Sequence, residues 1–98
     1  MKIIILPPAR LELRKAVLHY NRQREGLGAE LRDEVRRAAQ SLVANHQLYR
    51  LRHGDYRRVN LRKFPYYLVY FIRQDKILIN AITHASRDPE YWLDRPLP

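Results

Sequence analysis

Residues 66–72, Tyr-Tyr-Leu-Val-Tyr-Phe-Ile, are apolar on both faces of any strand they form. Side chains of a strand alternate between its two faces, so such a run is stable only near the centre of a sheet that is covered on both sides. Gln74 and Asp75 then make a hairpin turn without glycine, and a second apolar run, Lys76 to His84, returns. On this last strand Leu78, Asn80, Ile82 and His84 share one face, and Ile77, Ile79, Ala81 and Thr83 share the other. The remainder of the 98 residues must supply neighbours and a cover for this pair.

The neighbours are legible on either side. Residues 2–6, Lys-Ile-Ile-Ile-Leu, read as a strand buried on both faces. In 57–63, Val59 and Leu61 alternate with Arg58, Asn60 and Arg62, giving one apolar and one basic face. Pro7 and Pro8 end the first strand and start a helix whose stripe is Leu13, Ala16, Val17 and Tyr20. Glu25-Gly26-Leu27-Gly28 breaks it, and a second helix places Leu27, Leu31, Val35, Ala38 and Leu42 on one side. Arg32, Arg36 and Arg37 lie off that stripe, and Asp33 is spaced to pair with Arg37. Each stripe is only about three turns long, which suits a helical hairpin laid on a sheet rather than a free coiled coil. Residues 46–55 read as a loop with a turn at His53-Gly54-Asp55. The expected fold is α+β, in the order β-α-α-β-β-β. A two-helix hairpin packs on a small, mostly antiparallel four-stranded sheet, with a short C-terminal helix, and residues 1–98 form one domain.

Composition removes several kinds of chemistry. With no cysteine there is neither thiol catalysis nor a disulfide or cysteine-based metal site. His19, His46 and His53 have no metal-ligand spacing, and there is no phosphate-cradling glycine loop or nucleophile elbow, so no metal or cofactor is expected. The N-terminal apolar run is too short for a signal peptide or membrane span, and the expected location is the cytoplasm. The net charge is +9, and of the 19 basic residues only Lys2, Lys15, Lys63 and Lys76 are lysines. An arginine excess suits two-pronged contacts to phosphate or carboxylate, so a polyanionic or acidic partner is expected. The charge is densest at 50–63, where Arg50, Arg52, Arg57, Arg58, Arg62 and Lys63 face Asp55 alone. With Arg32, Arg36 and Arg87, the arginines of that segment form the expected partner-binding set.

The segment His84 to Trp92, His-Ala-Ser-Arg-Asp-Pro-Glu-Tyr-Trp, gathers a histidine, two acids, an arginine, a tyrosine and the only tryptophan. Asp88-Pro89-Glu90 is a helix-start signal, with an oxygen at the cap and proline at the first helical position. His84 and Arg87 then sit in a tight corner. If the basic face of 57–63 meets the polar face of the last strand, Arg58, Asn60, Arg62, Asn80 and His84 line one concave surface rimmed by Arg87 and Tyr91. Arginines there would stabilise phosphodiester charge, and His84 or Tyr91 would move protons. The same surface would equally take an acidic peptide without chemistry. A solvated sheet face accounts for Arg58 and Arg62, local hydrogen bonding for His84, and packing for Tyr91 and Trp92 just as simply.

Tyr56 to Arg95 closely resembles the C-terminal half of ParE/RelE-type toxins of bacterial type II toxin–antitoxin, or plasmid stabilisation, modules. The similar features are the arginines before Phe64-Pro65-Tyr66-Tyr67-Leu68-Val69-Tyr70, followed by His84 to Trp92. Tyr20 to Val35 is similar to the helical hairpin of ParE-type members. The resemblance implies two helices on a small sheet and a cognate acidic antitoxin that wraps the toxin. It also implies one of two targets: ParE-like members poison DNA gyrase without being nucleases, and RelE-like members cut messenger RNA on the ribosome. The pattern looks more like the ParE side. In a RelE-like enzyme the catalytic set would be Arg58, Arg62, His84, Arg87 and Tyr91. A copy that has lost activity and only binds its antitoxin would read the same way.

Overall fold

The computed structural model describes residues 1–98, in the order β1 (Lys2–Ile5), α1 (Pro7–Gln23), α2 (Leu27–Asn45), a 3-10 turn (His46–Leu48), β2 (Leu51–His53), β3 (Tyr56–Asn60), β4 (Tyr66–Arg73), β5 (Lys76–His84) and a last 3-10 turn (Tyr91–Asp94). The strands form one five-stranded sheet, β1-β5-β4-β3-β2, in which β1 runs parallel to β5 and the other pairs are antiparallel. The expected hairpin of helices packs on one face.

The proline pair starts α1 as expected, since the fixed φ and missing N–H of proline cost nothing in a first turn. Gly26 reverses the chain at φ 88°, a conformation in which a side chain is strained. Gly28 lets the helices close up: a Cβ there would lie 2.4 Å from the Val17 carbonyl oxygen. Asn21 Oδ1 accepts the Gly28 N–H at 2.8 Å and fixes the angle of the hairpin. Ala16, Val17, Leu31, Val35, Ala39 and Leu42 then pack on Val59, Leu68, Tyr70, Ile77, Ile79 and Ile82 to make the main core. Leu27 and Ala38, expected on the stripe, are only partly buried against it.

The run 66–72 is central, with Leu68 and Tyr70 toward the helices and Tyr67, Val69 and Phe71 in smaller clusters on the opposite face. Gln74 and Asp75 have φ of 52° and 61°, so the hairpin uses two left-handed residues, the geometry of a primed turn.

Several expectations need correction. The sheet has five strands rather than four, because Leu51–His53 within the expected loop pairs with β3. A strand of three exposed residues has too little pattern to be seen in sequence. β1 is an edge strand with Ile3, Ile4 and Ile5 half-buried, not a strand covered on both faces. β3 ends at Asn60, since the N–H groups of Arg62 and Lys63 turn to the Glu34 carboxylate of α2 instead of a neighbouring strand. The last helix is only the turn Tyr91–Asp94. Asp88 Oδ1 accepts the Glu90 N–H and forms a local turn first. Asp33 pairs with Arg36 at 3.5 Å, one residue nearer than the expected Arg37.

The most consequential difference lies in β5. Tyr70 is opposite Ile79 and Val69 is opposite Ala81, so Asn80 is an extra residue, a β-bulge. A bulge shifts the alternation of the strand by one residue. Ile77, Ile79 and Ile82 all face the helices, whereas Leu78 and Ala81 face away. The two faces read by simple alternation therefore exchange halfway along.

Candidate functional site

The bulge and the short β3 divide the expected concave surface into three separate places. Arg58 is opposite Val69, on the face away from the helices, and its guanidinium lies 3.9 Å above the Tyr67 ring. Its Nε donates to Asn60 Oδ1 at 3.1 Å. Arg62 lies past the end of β3, in a recess against α2 with Glu34, Arg37 and Ser41. His84 is opposite Tyr66 and lines a third recess with Glu12, Lys15, His19 and Arg87. Asn80 is buried and donates to the Trp92 carbonyl at 3.3 Å. No single surface contains them all.

The third recess is organised by Glu12 of α1, a residue sequence reasoning did not single out. Beyond Ile79 the outer edge of β5 has no strand beside it, because β1 ends there. Its backbone groups still need partners. Glu12 Oε1 accepts the Ile82 N–H at 3.0 Å, and Arg95 Nη1 donates to the Asn80 carbonyl at 2.6 Å. Arg95 also grips both Glu12 oxygens, at 3.0 and 2.9 Å. Arg87 Nη1 reaches Glu12 Oε2 at 3.3 Å, and the Tyr91 hydroxyl donates to the same oxygen. The Arg87 guanidinium lies 3.5 Å over the Tyr91 ring. One carboxylate thus engages Arg87, Tyr91 and Arg95 of the C-terminal segment together. The only hint in sequence is that Glu12 borders the apolar stripe of α1, where a charge turns inward only if a partner receives it.

This arrangement decides what the candidate proton carriers can do. Burial, reinforced by the bond to Glu12, pushes the Tyr91 hydroxyl up to about 12, so at neutral pH it is a fixed proton donor to one acceptor. His84 Nδ1 accepts the Ser86 N–H at 3.0 Å, which puts the proton of a neutral ring on Nε2. Arg57 is also structural, because its Nη1 donates to the carbonyls of Gln47 and Tyr49, at 3.2 and 2.7 Å, tying the chain after α2 to β3.

The remaining expected partner-binding arginines fall into two groups. Arg32 and Arg36 edge a groove of about 380 Å³ between the helices and β1, floored by Ile3, Ile5, Leu13, Val35 and Ala39. Arg50 and Arg52 join Arg58 around a pocket of about 350 Å³ on the other face of the sheet. Tyr67, Val69 and Trp92 line it, with Pro89, Glu90 and His53 at its margin. Trp92 is buried and anchors this side, with its ring edge-to-face with Tyr56 at 4.8 Å. His53 Nε2 is 3.2 Å from Glu90 Oε1, which ties the β2–β3 hairpin to the C-terminal turn. None of Arg50, Arg52 or Arg58 has a carboxylate partner. Two of the residues lining the pocket carry buried polar atoms without a protein partner, the Tyr67 hydroxyl and Trp92 Nε1, and Asn80 Oδ1 is a third such atom. Each such atom costs about 1–3 kcal/mol, so two of them on residues lining one pocket are a feature to be explained.

The comparisons agree with this architecture. The family model described as ParE toxin of type II toxin–antitoxin system, parDE, matches residues 3–89. A solved chain from the chromosomal ParDE toxin–antitoxin system of P. aeruginosa superposes with a TM-score of 0.76 at 18% identity, covering 86% of this chain and 95% of that one. The isolated E. coli RelE toxin superposes with a TM-score of 0.66 at 20% identity, covering 92% and 89%. No curated protein is similar to the chain at the level of sequence.

Proposed function

This chain belongs to the ParE toxin family of type II toxin–antitoxin systems, and from that premise we propose that it inhibits DNA gyrase and is neutralised by a cognate acidic antitoxin. The observation that carries the reading is the engagement of Tyr91 and Arg87 by Glu12. A ribonuclease needs a group that moves a proton beside cations that stabilise the phosphoryl charge. Here the tyrosine is fixed to a carboxylate, and Arg87 lies in a different recess from Arg58 and from Arg62. This separation of the arginines from the engaged tyrosine supports partner binding over phosphoryl chemistry.

The net charge of +9 and the arginines left without acid partners support an acidic antitoxin. Action on gyrase implies a cytoplasmic site of action; no helix is long and apolar enough to cross a membrane. Residues 1–98 are read as one toxin domain. The test is a purified supercoiling assay beside a ribosome-dependent messenger RNA cleavage assay. Loss of supercoiling with intact messenger RNA is expected. Cleavage that Arg87→Ala and Tyr91→Phe reduce by orders of magnitude would replace this reading with the RelE-like one. Inactivity in both assays would leave a protein that only binds its antitoxin.

A further inference from the structure

We propose that the pocket bounded by Arg50, Arg52 and Arg58 is the receptor for a carboxylate side chain of an acidic polypeptide partner. This deepens the reading above by assigning the acidic partner a contact point on the sheet face away from the helices. Two independent observations meet there. The rim carries arginines that no carboxylate of the chain neutralises. The one acid at its margin, Glu90, is engaged by His53 at 3.2 Å. Two residues that line it, Tyr67 and Trp92, carry buried hydrogen-bond donors without protein acceptors, the Tyr67 hydroxyl and Trp92 Nε1. The indole N–H donates only, and the acceptor favoured beside unneutralised arginines is an anion. Asn80 Oδ1 is the single unpartnered acceptor nearby, and its own amide is held by the Trp92 carbonyl.

The observations favour a peptide over a nucleic acid. Single-stranded nucleic acids are held largely by bases stacking on exposed aromatic faces. Here Tyr67 is 1% exposed beneath Arg58 and Trp92 is 3% exposed, so neither ring offers a platform. The pocket instead opens beside β2, an edge strand whose Leu51 is half-exposed, where an extended peptide can lie alongside.

Trp92 is the only tryptophan, so its indole N–H gives a single nitrogen–proton resonance reporting on this pocket alone. The full chain is titrated with a short blocked peptide rich in glutamate, with single-stranded RNA of equal net charge, and with inorganic phosphate. The expected result is a saturable shift of that resonance with the peptide. Arg52→Gln and Arg58→Gln should each weaken it about tenfold or more, as expected for losing a charge-assisted bond. Arg37→Gln, in the recess on α2, should leave it unchanged, with backbone spectra confirming that each variant is folded. An unmoved resonance overturns the proposal. So does phosphate acting as strongly as the peptide, or RNA acting at lower concentration. Supercoiling assays on the same preparations separate the two readings. A shifting resonance without gyrase inhibition strikes the functional reading alone, and inhibition with an unmoved resonance strikes the pocket alone.

Discussion

Glu12 and Arg95 meet across 83 residues of sequence in a two-pronged ion pair, with nitrogen–oxygen distances of 3.0 and 2.9 Å. Both side chains are largely buried, at 13% and 16% exposure. The pair closes the open edge of β5 and fastens the C-terminal segment over the first helix. It makes Arg95 part of the sheet's support.

Breaking that pair from either side leaves a poorly hydrated charge behind. Glu12→Ala and Arg95→Ala should each cost about 3–5 kcal/mol in denaturant unfolding. Arg87→Ala touches the same carboxylate from a half-exposed position and should cost only about 0–1 kcal/mol. Equal losses for Arg87 and Arg95 would mean that the carboxylate is more open to water than the geometry indicates.

Trp92 packs against Tyr67, Val69 and Ala81 and has no substitute on that face. Trp92→Ala should destabilise by about 3–5 kcal/mol, and Trp92→Phe by less, because most of the ring volume remains. Thermal melts followed by circular dichroism give the order. If Trp92→Ala melts with the native protein, the face away from the helices is not a packed layer.

Alkaline pH should unfold the protein through its tyrosines. Burial pushes the hydroxyls of Tyr70 and Tyr91 up to about 12, from an ordinary value near 10. Below that ordinary value both states keep their protons and pH has no effect through these groups. Between about pH 10 and 12 the unfolded chain ionises first, so stability falls as pH rises and its loss completes near the folded value. Tyr91→Phe should flatten this slope in unfolding curves collected across the window. An unchanged slope would show that Tyr91 ionises as a free tyrosine does.

The glycine turn should discriminate sharply between its two glycines. Gly28→Ala drives a methyl group into the Val17 carbonyl and the Asn21 side chain and should cost about 1–3 kcal/mol through displaced helices. Gly26→Ala meets no atom within 4 Å but must hold φ near 88°, a cost of about 1–2 kcal/mol. Hydrogen exchange separates the mechanisms: Gly28→Ala should loosen protection along both helices, and Gly26→Ala only at the turn.

What could be read from the chain was whatever depends on neighbours a few residues apart. The stripes of both helices, the proline start, the glycine reversal and the central run at 66–72 all follow from short periodicities, and they sufficed for the fold class. The resemblance of 56–95 and 20–35 to ParE/RelE toxins rests on the same local order and led to the family. The division of the arginines among separate recesses was not accessible in that way. It depends on one extra residue, Asn80, which exchanges the faces of β5, and on Glu34, which ends β3 early. Nor could any periodicity reveal that Glu12 would find Arg95, Arg87 and Tyr91, because they become neighbours only when the end of the chain returns over the first helix. Hydrophobic patterning is additive along the sequence and survives local error. Polar satisfaction is settled pair by pair across long separations, so the tertiary structure alone decided which charges are structural and which remain free to bind.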